Sequence, residues 1–149
     1  MAISRALRRL FHIRELQEEL GKVALAAART ELTRLEDALN STIRRAQSGR
    51  ELVGASARNG DTVDRSVGLE EVRIALHLAD ALSEGIANAE VKVNDLQGVY
   101  LAHRVERRQA ETLLENAEAL DGVEAARKSQ HELDDWFLSR GTDKNRDKE

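Results

Sequence analysis

The 149-residue chain contains no cysteine and no proline, and aromatic residues make up only 3% of it. The absence of cysteine excludes disulfides, thiolate nucleophiles and cysteine-based zinc sites. So few bulky side chains cannot fill the core of a compact globule. Charged residues make up 34% of the chain, and its commonest residues are Ala, Leu, Glu and Arg. This composition is typical of long helices and predicts an elongated protein.

Long apolar stretches are also absent. The longest, from Val23 to Ala28, is far too short to span a bilayer and carries small residues rather than a secretory core. The formal net charge of −4 provides no overall attraction to nucleic acid. We therefore expect a soluble, cytoplasmic protein with no nucleic-acid partner.

The second half of the chain carries an unbroken heptad seam, with apolar or small residues in alternating steps of three and four. A repeat of 3.5 residues stays on one side of a helix only if the helix supercoils around a partner. The pattern therefore predicts a coiled coil. Its positions are Val72, Ala75, Ala79, Leu82, Ile86, Ala89, Val93, Leu96, Tyr100, His103, Arg107, Ala110, Leu114 and Ala117.

The first half carries a second seam with the same spacing, from Leu25 to Ser56. Before this seam, apolar residues at the start of the chain lie on one helical face, and the pattern continues through Ile13, Leu16 and Leu20. The two phases are joined by successive steps of four, a stutter that locally relaxes the supercoil. The basic start of the chain alone resembles a transit peptide or a membrane-surface helix, but its continuous phase favours the opening of a long helix.

Between the seams lies a turn signal, Asn59-Gly60. We predict an all-α fold: a long two-helix antiparallel coiled-coil hairpin with a longer C-terminal helix. The helices are expected at residues 3–57 and 67–138, joined by a turn at 58–66 that offers N-caps at Thr62, Asp64 or Ser66. Residues 1–140 then form a single coiled-coil domain, and residues 141–149 form a mobile tail.

Folding the chain about this turn predicts which residues face each other. Partner numbers add up to about 125, which places Val53 beside Val72. The same register places Arg107 against Glu18, and His103 near Gly21 and Lys22. These polar seam residues are interpreted as a register pin, since a slipped register would leave Arg107 unpaired. Alternatively, Arg107 extends its stem along the seam and reaches water.

The second helix is predicted to outrun the first beyond about Gly122, leaving roughly 24 Å without a partner. Trp136 and Phe137, half of the aromatic residues, lie near its end. Apolar bulk on an unpaired helix usually marks a docking surface.

No constellation of residues predicts catalysis. The four histidines, His12, His77, His103 and His131, are too far apart along the chain for a metal site. The neighbouring carboxylates Asp134 and Asp135 point about 100° apart on a helix, so they are not an acid–base pair. No glycine-rich phosphate loop is present. We therefore expect no enzyme activity, no cofactor and no small-molecule substrate.

Two stretches resemble the flagellar export protein FliJ family, which includes stalk-like proteins of type III secretion. The opening reads Leu-Arg-Arg-Leu-Phe-His-Ile-Arg-Glu-Leu-Gln-Glu-Glu. The ending reads Glu-Arg-Arg-Gln-Ala-Glu-Thr-Leu-Leu and later Gln-His-Glu-Leu-Asp-Asp-Trp-Phe-Leu, with Glu132-Leu133-Asp134-Asp135 the most family-like part. Two helices in about 150 residues, the second longer, also agree with the family.

The resemblance implies a non-enzymatic component of flagellar protein export and motility. Such a protein acts as a stalk in the export ATPase ring and links the ring to the export gate protein and to export chaperones. It is cytoplasmic and peripheral to the inner membrane, touching the membrane only through the apparatus. The residues expected to bind these partners are Leu7, Arg8, Leu10, Phe11, Leu133, Asp134, Asp135, Trp136 and Phe137.

Two alternatives remain open. One is a stand-alone structural coiled-coil adaptor or chaperone that self-associates and ignores any ATPase. The other is a nucleic-acid or membrane binder that uses the N-terminal arginines, which predicts strongly salt-dependent binding. The acidic remainder of the chain disfavours it.

Overall fold

The computed structural model describes residues 2–146, apart from the side chain of Asn145. It consists of two helices, α1 (Ala2–Asn59, 58 residues) and α2 (Thr62–Arg146, 85 residues). Residues 2–146 contain no strand. The predicted all-α architecture, with two long helices packed against each other, is confirmed.

The connection between the helices is much shorter than the predicted turn at residues 58–66. Helix α1 ends at Asn59, and the next residue, Gly60, has a φ of 74° and donates its N–H to the Ser56 carbonyl at 2.8 Å. A positive φ costs glycine little because it has no Cβ. The chain therefore reverses within Gly60 and Asp61 alone.

Helix α2 is capped by Asp61, not by Thr62, Asp64 or Ser66 as predicted. The Asp61 carboxylate accepts hydrogen bonds from the backbone N–H of Val63 at 3.0 Å and of Asp64 at 3.3 Å. This carboxylate satisfies two of the N–H groups that the first turn of a helix leaves unpaired. The candidate caps further along are already inside the helix.

The contacts between the helices divide into two units. The turn unit comprises residues 19–102, with the connection at its centre. The terminal unit comprises α1 up to Glu18 and α2 from His103 onwards.

In the turn unit, the buried seam positions are occupied by small residues, apart from Leu25. Ala75 is fully buried, and Ala46 nearly so. Gly49 and Gly68 bring the two backbones into direct contact, since a Cβ on Gly49 would lie 2.9 Å from the Gly68 carbonyl oxygen. Side chains on both helices would hold the backbones further apart, so the close approach depends on these two glycines.

The register in the turn unit differs from the predicted one. Gly68 lies against Val53, and Val72 lies against Gly49, so Val53 meets a residue four positions earlier than Val72. The helices are antiparallel, as predicted, because Leu35 approaches Gly85 further from the turn. The shift has a simple cause: the two-residue turn places the fold axis closer to Gly60 than a nine-residue turn would.

In the terminal unit, the buried face of α1 agrees only in part with the predicted one. Ser4 is buried, and Leu7, Phe11, Arg14 and Glu18 are half-buried at heptad steps. The predicted stutter is therefore wrong. The apolar side chains that suggested it lie outside: Ile13, Leu16 and Leu20 are exposed, the last at 70%.

On α2 the predicted seam is confirmed throughout. Each position of the seam that runs from Val72 to Ala117 is buried or half-buried, while most residues between are exposed. The heptad pattern therefore identified the inward face of this helix correctly.

The C-terminal boundary extends further than predicted. Helix α2 continues to Arg146 instead of ending at Leu138. Residues 147–149, the end of the predicted tail, lie outside the described residues. The mobility of residues 141–149 and the single domain at 1–140 stay predictions.

Candidate docking site at the helix ends

Helix α2 extends well past the start of α1. Near that start, the Ser4 hydroxyl donates a hydrogen bond to the Asp121 carboxylate, which lowers the pKa of Asp121 below its ordinary value. From residue 122 to residue 146 each described side chain is exposed. This stretch, which we call the α2 extension, spans about 37 Å at 1.5 Å per residue.

The α2 extension carries an aromatic cluster. The rings of Trp136 and Phe137 lie with centroids 5.1 Å apart in an edge-to-face arrangement, and the Arg140 guanidinium lies 4.4 Å from the centre of the Trp136 ring. Trp136 remains 48% exposed and Phe137 64% exposed. Adjacent residues on a helix point in different directions, so the two rings can contact more than one surface.

Polar groups flank this cluster. The Gln130 side chain donates a hydrogen bond to the Asp134 carboxylate at 3.0 Å. Leu133 and Trp136 line a shallow groove together with Ser129 and Glu132. An apolar groove with an acidic rim suits a partner that brings an apolar side chain and a neighbouring cation.

The predicted N-terminal members of the site lie elsewhere on the terminal unit. Leu7, Leu10 and Phe11 are half-buried, and the Arg8 guanidinium forms an ion pair with Glu118 at 2.8 Å. Leu133 follows Asp121, the partner of Ser4, by about 18 Å of helix. The structure therefore does not join the two predicted sets of residues into one surface.

The predicted contact between Arg107 and Glu18 is present. The Arg107 guanidinium donates to the Glu18 carboxylate and, at 3.0 Å, to that of Glu111. The hydrogen bond to Glu18 raises the pKa of Arg107 further above its ordinary value. The two partners are largely shielded from water, with side-chain exposures of 22% and 18%. Their role as a register pin stays a proposal.

Arg14 forms another interhelical ion pair, which the sequence did not predict. The Arg14 guanidinium donates to the Glu106 carboxylate at 2.8 Å and to the Gln17 side-chain oxygen at 3.0 Å. His103 contacts the same Glu106 at 3.5 Å. The missed signal was heptad spacing: Arg14 follows Leu7 by seven residues, which places it on the same face.

Residues 2–146 contain no group of three or more His, Cys, Asp or Glu side chains placed to hold a metal ion. Neither α1 nor α2, as far as they are described, includes a stretch long and apolar enough to cross a membrane.

Comparison with known proteins gives a family. A family model described as flagellar FliJ protein matches residues 4–146 of the chain. No match was found among curated proteins or among solved structures. The matched range includes the seams of both helices and the whole α2 extension.

Proposed function

The chain belongs to the flagellar FliJ protein family, and on that premise we propose that it acts as a stalk in the ring of the flagellar export ATPase. Membership makes it a component of the flagellar export apparatus. In the proposal it has no enzyme activity of its own. It works in the cytoplasm beside the inner membrane and links the ATPase ring to the export gate protein and to export chaperones.

The α2 extension is the observation that supports the stalk most strongly. It presents exposed Leu133, Trp136 and Phe137 on a single helix with no second helix beside it. A single helix with side chains is about 10–12 Å wide, so it can enter a central opening from which a wider bundle would be excluded.

The chemistry of this segment fits a contact that forms and breaks. The aromatic side chains supply most of the contact energy, because buried aromatics dominate interface energetics. Asp134 and Asp135 add charge contacts that remain weak while water is nearby. We assign Leu133, Asp134, Asp135, Trp136 and Phe137 as the primary contacts.

The N-terminal residues have a secondary role in the proposal. Leu7, Leu10 and Phe11 are partly covered within the hairpin, and Arg8 is paired with Glu118. They contact the ring only if the stalk enters beyond the start of α1. Substitutions at these positions are therefore expected to weaken binding less than substitutions in the α2 extension.

The binding test uses the full chain and the purified hexameric export ATPase. Trp136 is the only tryptophan, so replacing it biosynthetically with a fluorinated analogue gives a reporter whose ¹⁹F signal comes from this residue alone. We expect that signal to shift on adding the ATPase. A Trp136→Ala, Phe137→Ala double variant should lose at least tenfold in affinity by titration calorimetry, the equivalent of about 1.4 kcal/mol.

The matched control is a Val91→Ala, Val99→Ala double variant, which removes two exposed apolar side chains from α2 within the turn unit. It should bind like the wild-type chain. Equal binding by the aromatic double variant would reject these contact residues, and no binding by any variant would reject the stalk.

A further inference from the structure

The outer face of α2 in the terminal unit carries a heptad row of its own. Its ten positions recur in steps of three and four, and each is exposed and uncharged, although 34% of the chain is charged. We call this row the outer stripe. It consists of Val105, Gln109, Thr112, Asn116, Ala119, Val123, Ala126, Gln130, Leu133 and Phe137.

The outer stripe faces away from α1. Val105 stands two residues after the seam residue His103, and Gln109 stands two residues after Arg107. The same offset is kept along the stripe as far as Val123. Two residues turn a helix by about 200°, so the stripe lies opposite the seam and α1 leaves it uncovered.

The amides in the stripe indicate what covers it. Asn116 follows Gln109 by seven residues, and Gln130 follows Asn116 by fourteen. All three amides therefore occupy the same heptad position. A buried amide costs free energy unless its N–H and C=O groups are both paired. An apolar partner helix would leave these groups unpaired.

A second copy of the chain, aligned in parallel, satisfies them. Each amide then meets its own counterpart, and an amide is self-complementary because it carries both donors and an acceptor. The steps of three and then four that follow Gln109 place the amides at position a of the heptad. An asparagine at position a is a known determinant of parallel two-stranded pairing. Thr112 likewise meets Thr112 of the other copy.

The surface already has the required shape. A shallow groove is lined by Val105, Arg108, Gln109, Thr112 and Leu113. The first four are spaced at i, i+3, i+4 and i+7, the four-residue hole that receives a side chain from a facing helix in a coiled coil. In the parallel arrangement, this hole receives Gln109 of the second copy.

We propose that two copies of this chain associate in parallel through the outer stripe, α2 against α2. The stripe ends in Leu133 and Phe137, two of the residues assigned above to the ATPase. Self-association covers both, so a chain in the pair cannot dock through them at the same time. The pair is thus a resting form in competition with the stalk, a regulation that goes beyond the proposed function.

The first test measures the mass of the full chain alone by sedimentation equilibrium. We expect reversible dimers, weakened at least tenfold by Asn116→Glu, because two carboxylates then face each other in a desolvated layer. The control is Asn94→Glu, the same change at an exposed α2 position off the stripe. A chain that stays monomeric up to about 100 µM, or a dimer indifferent to Asn116→Glu, overturns the proposal.

The second test reports on orientation and does not depend on the charge variant. Because the chain lacks cysteine, Thr112→Cys creates a single thiol that meets its counterpart only in the parallel register. Mild oxidation should cross-link it quickly, while Thr30→Cys, exposed on α1, should stay largely monomeric. Equal cross-linking of both variants, or of neither, overturns the parallel pair. The ATPase is absent from both tests, so their outcome is separate from that of the stalk.

Discussion

Near the turn, α1 and α2 are held together by the contact of Gly49 with Gly68 and by the buried Ala46 and Ala75. In the terminal unit, the seam instead carries charged residues, including the pair of Arg107 with Glu18. Backbones in direct contact tolerate almost no added volume. Ion pairs between long side chains tolerate small shifts of the backbone, because the side chains can change conformation to keep the contact.

The difference indicates that the two units hold α1 and α2 together by different interactions. The turn unit holds the helices together through the fit of small residues, whereas the terminal unit also uses charge pairs, beside the segment proposed to bind partners. Regions that must adapt during binding are generally drawn from the less stable parts of a protein. We therefore expect backbone amides of the terminal unit to exchange their hydrogens faster than those near Gly49 and Gly68.

The largest effect should come from filling the glycine contact. Gly49→Leu introduces a Cβ that would lie 2.9 Å from both the Gly68 carbonyl oxygen and a Val72 methyl group. Since backbone atoms cannot give way cheaply, we expect a loss of about 3 kcal/mol in the free energy of unfolding. Urea unfolding followed by circular dichroism measures this loss.

Gly54→Leu is the control for that substitution. Gly54 lies on the same helix with nothing within 4 Å of an added Cβ. Leucine has a higher helix propensity than glycine, so this variant should gain up to about 1 kcal/mol. A similar loss in both variants would mean that the close contact of Gly49 does not control stability.

A smaller effect is expected from the ion pair in the terminal unit. Arg107→Ala and Glu18→Ala should each destabilise the chain, while the double variant should lose less than the sum, since both single changes break the same interhelical pair. Glu18→Ala leaves Arg107 with Glu111 alone, whereas Arg107→Ala removes the guanidinium from a largely shielded Glu18. A thermal-unfolding double-mutant cycle measures this coupling. The same cycle on Arg8 and Glu118, a more exposed pair, should give a smaller coupling. If the losses from Arg107→Ala and Glu18→Ala were additive, the proposed role of this pair as a register pin would be rejected.

The smallest effect is expected in the loss of thermal stability at acidic pH. The hydrogen bond from Arg45 holds the pKa of the Glu71 carboxyl below its ordinary value of 4.5. Because the folded chain binds the proton less readily than the unfolded chain, this pair stabilises above about that pH and the stabilisation fades as the pH falls through the folded pKa. Glu71→Gln should therefore reduce the drop in melting temperature between neutral and acidic pH.

Glu84→Gln, a substitution at an exposed glutamate of the same helix, is the control for the acid experiment. It should leave the pH dependence of the melting temperature almost unchanged. An equal reduction in both variants would show that general charge, and not the pair with Arg45, governs the acid response.

The heptad pattern predicted the seam of α2 and much of α1, because burial along a coiled coil follows a fixed spacing. It failed near the start of α1, where apolar Ile13 and Leu16 drew the predicted seam to an exposed face. The actual seam there runs through Arg14 and Glu18. The predicted register already placed Glu18 against Arg107, but the polarity of Arg14 hid its place on the seam until the structure put Glu106 across from it.

The predicted docking residues were only partly brought together. Leu133, Trp136 and Phe137 lie together on the α2 extension, but Leu7 and Phe11 face the hairpin interior. Sequence places all of them near the two chain ends. How far α2 runs past α1 depends on the turn length and on the alignment of the helices, which a single sequence specifies weakly.

The sequence by itself determined that the chain forms two long helices and which face of α2 is buried, because these follow from residue type and a repeat of 3.5. The tertiary structure decided the pairing of the faces: the backbone contact of Gly49 with Gly68, the two-residue turn and the charged seam of the terminal unit. The glycine contact and the charged seam join residues far apart in the chain, which packing and not local preference brings together. The turn is local to Gly60 and Asp61, but its length is defined only once the ends of both helices are placed.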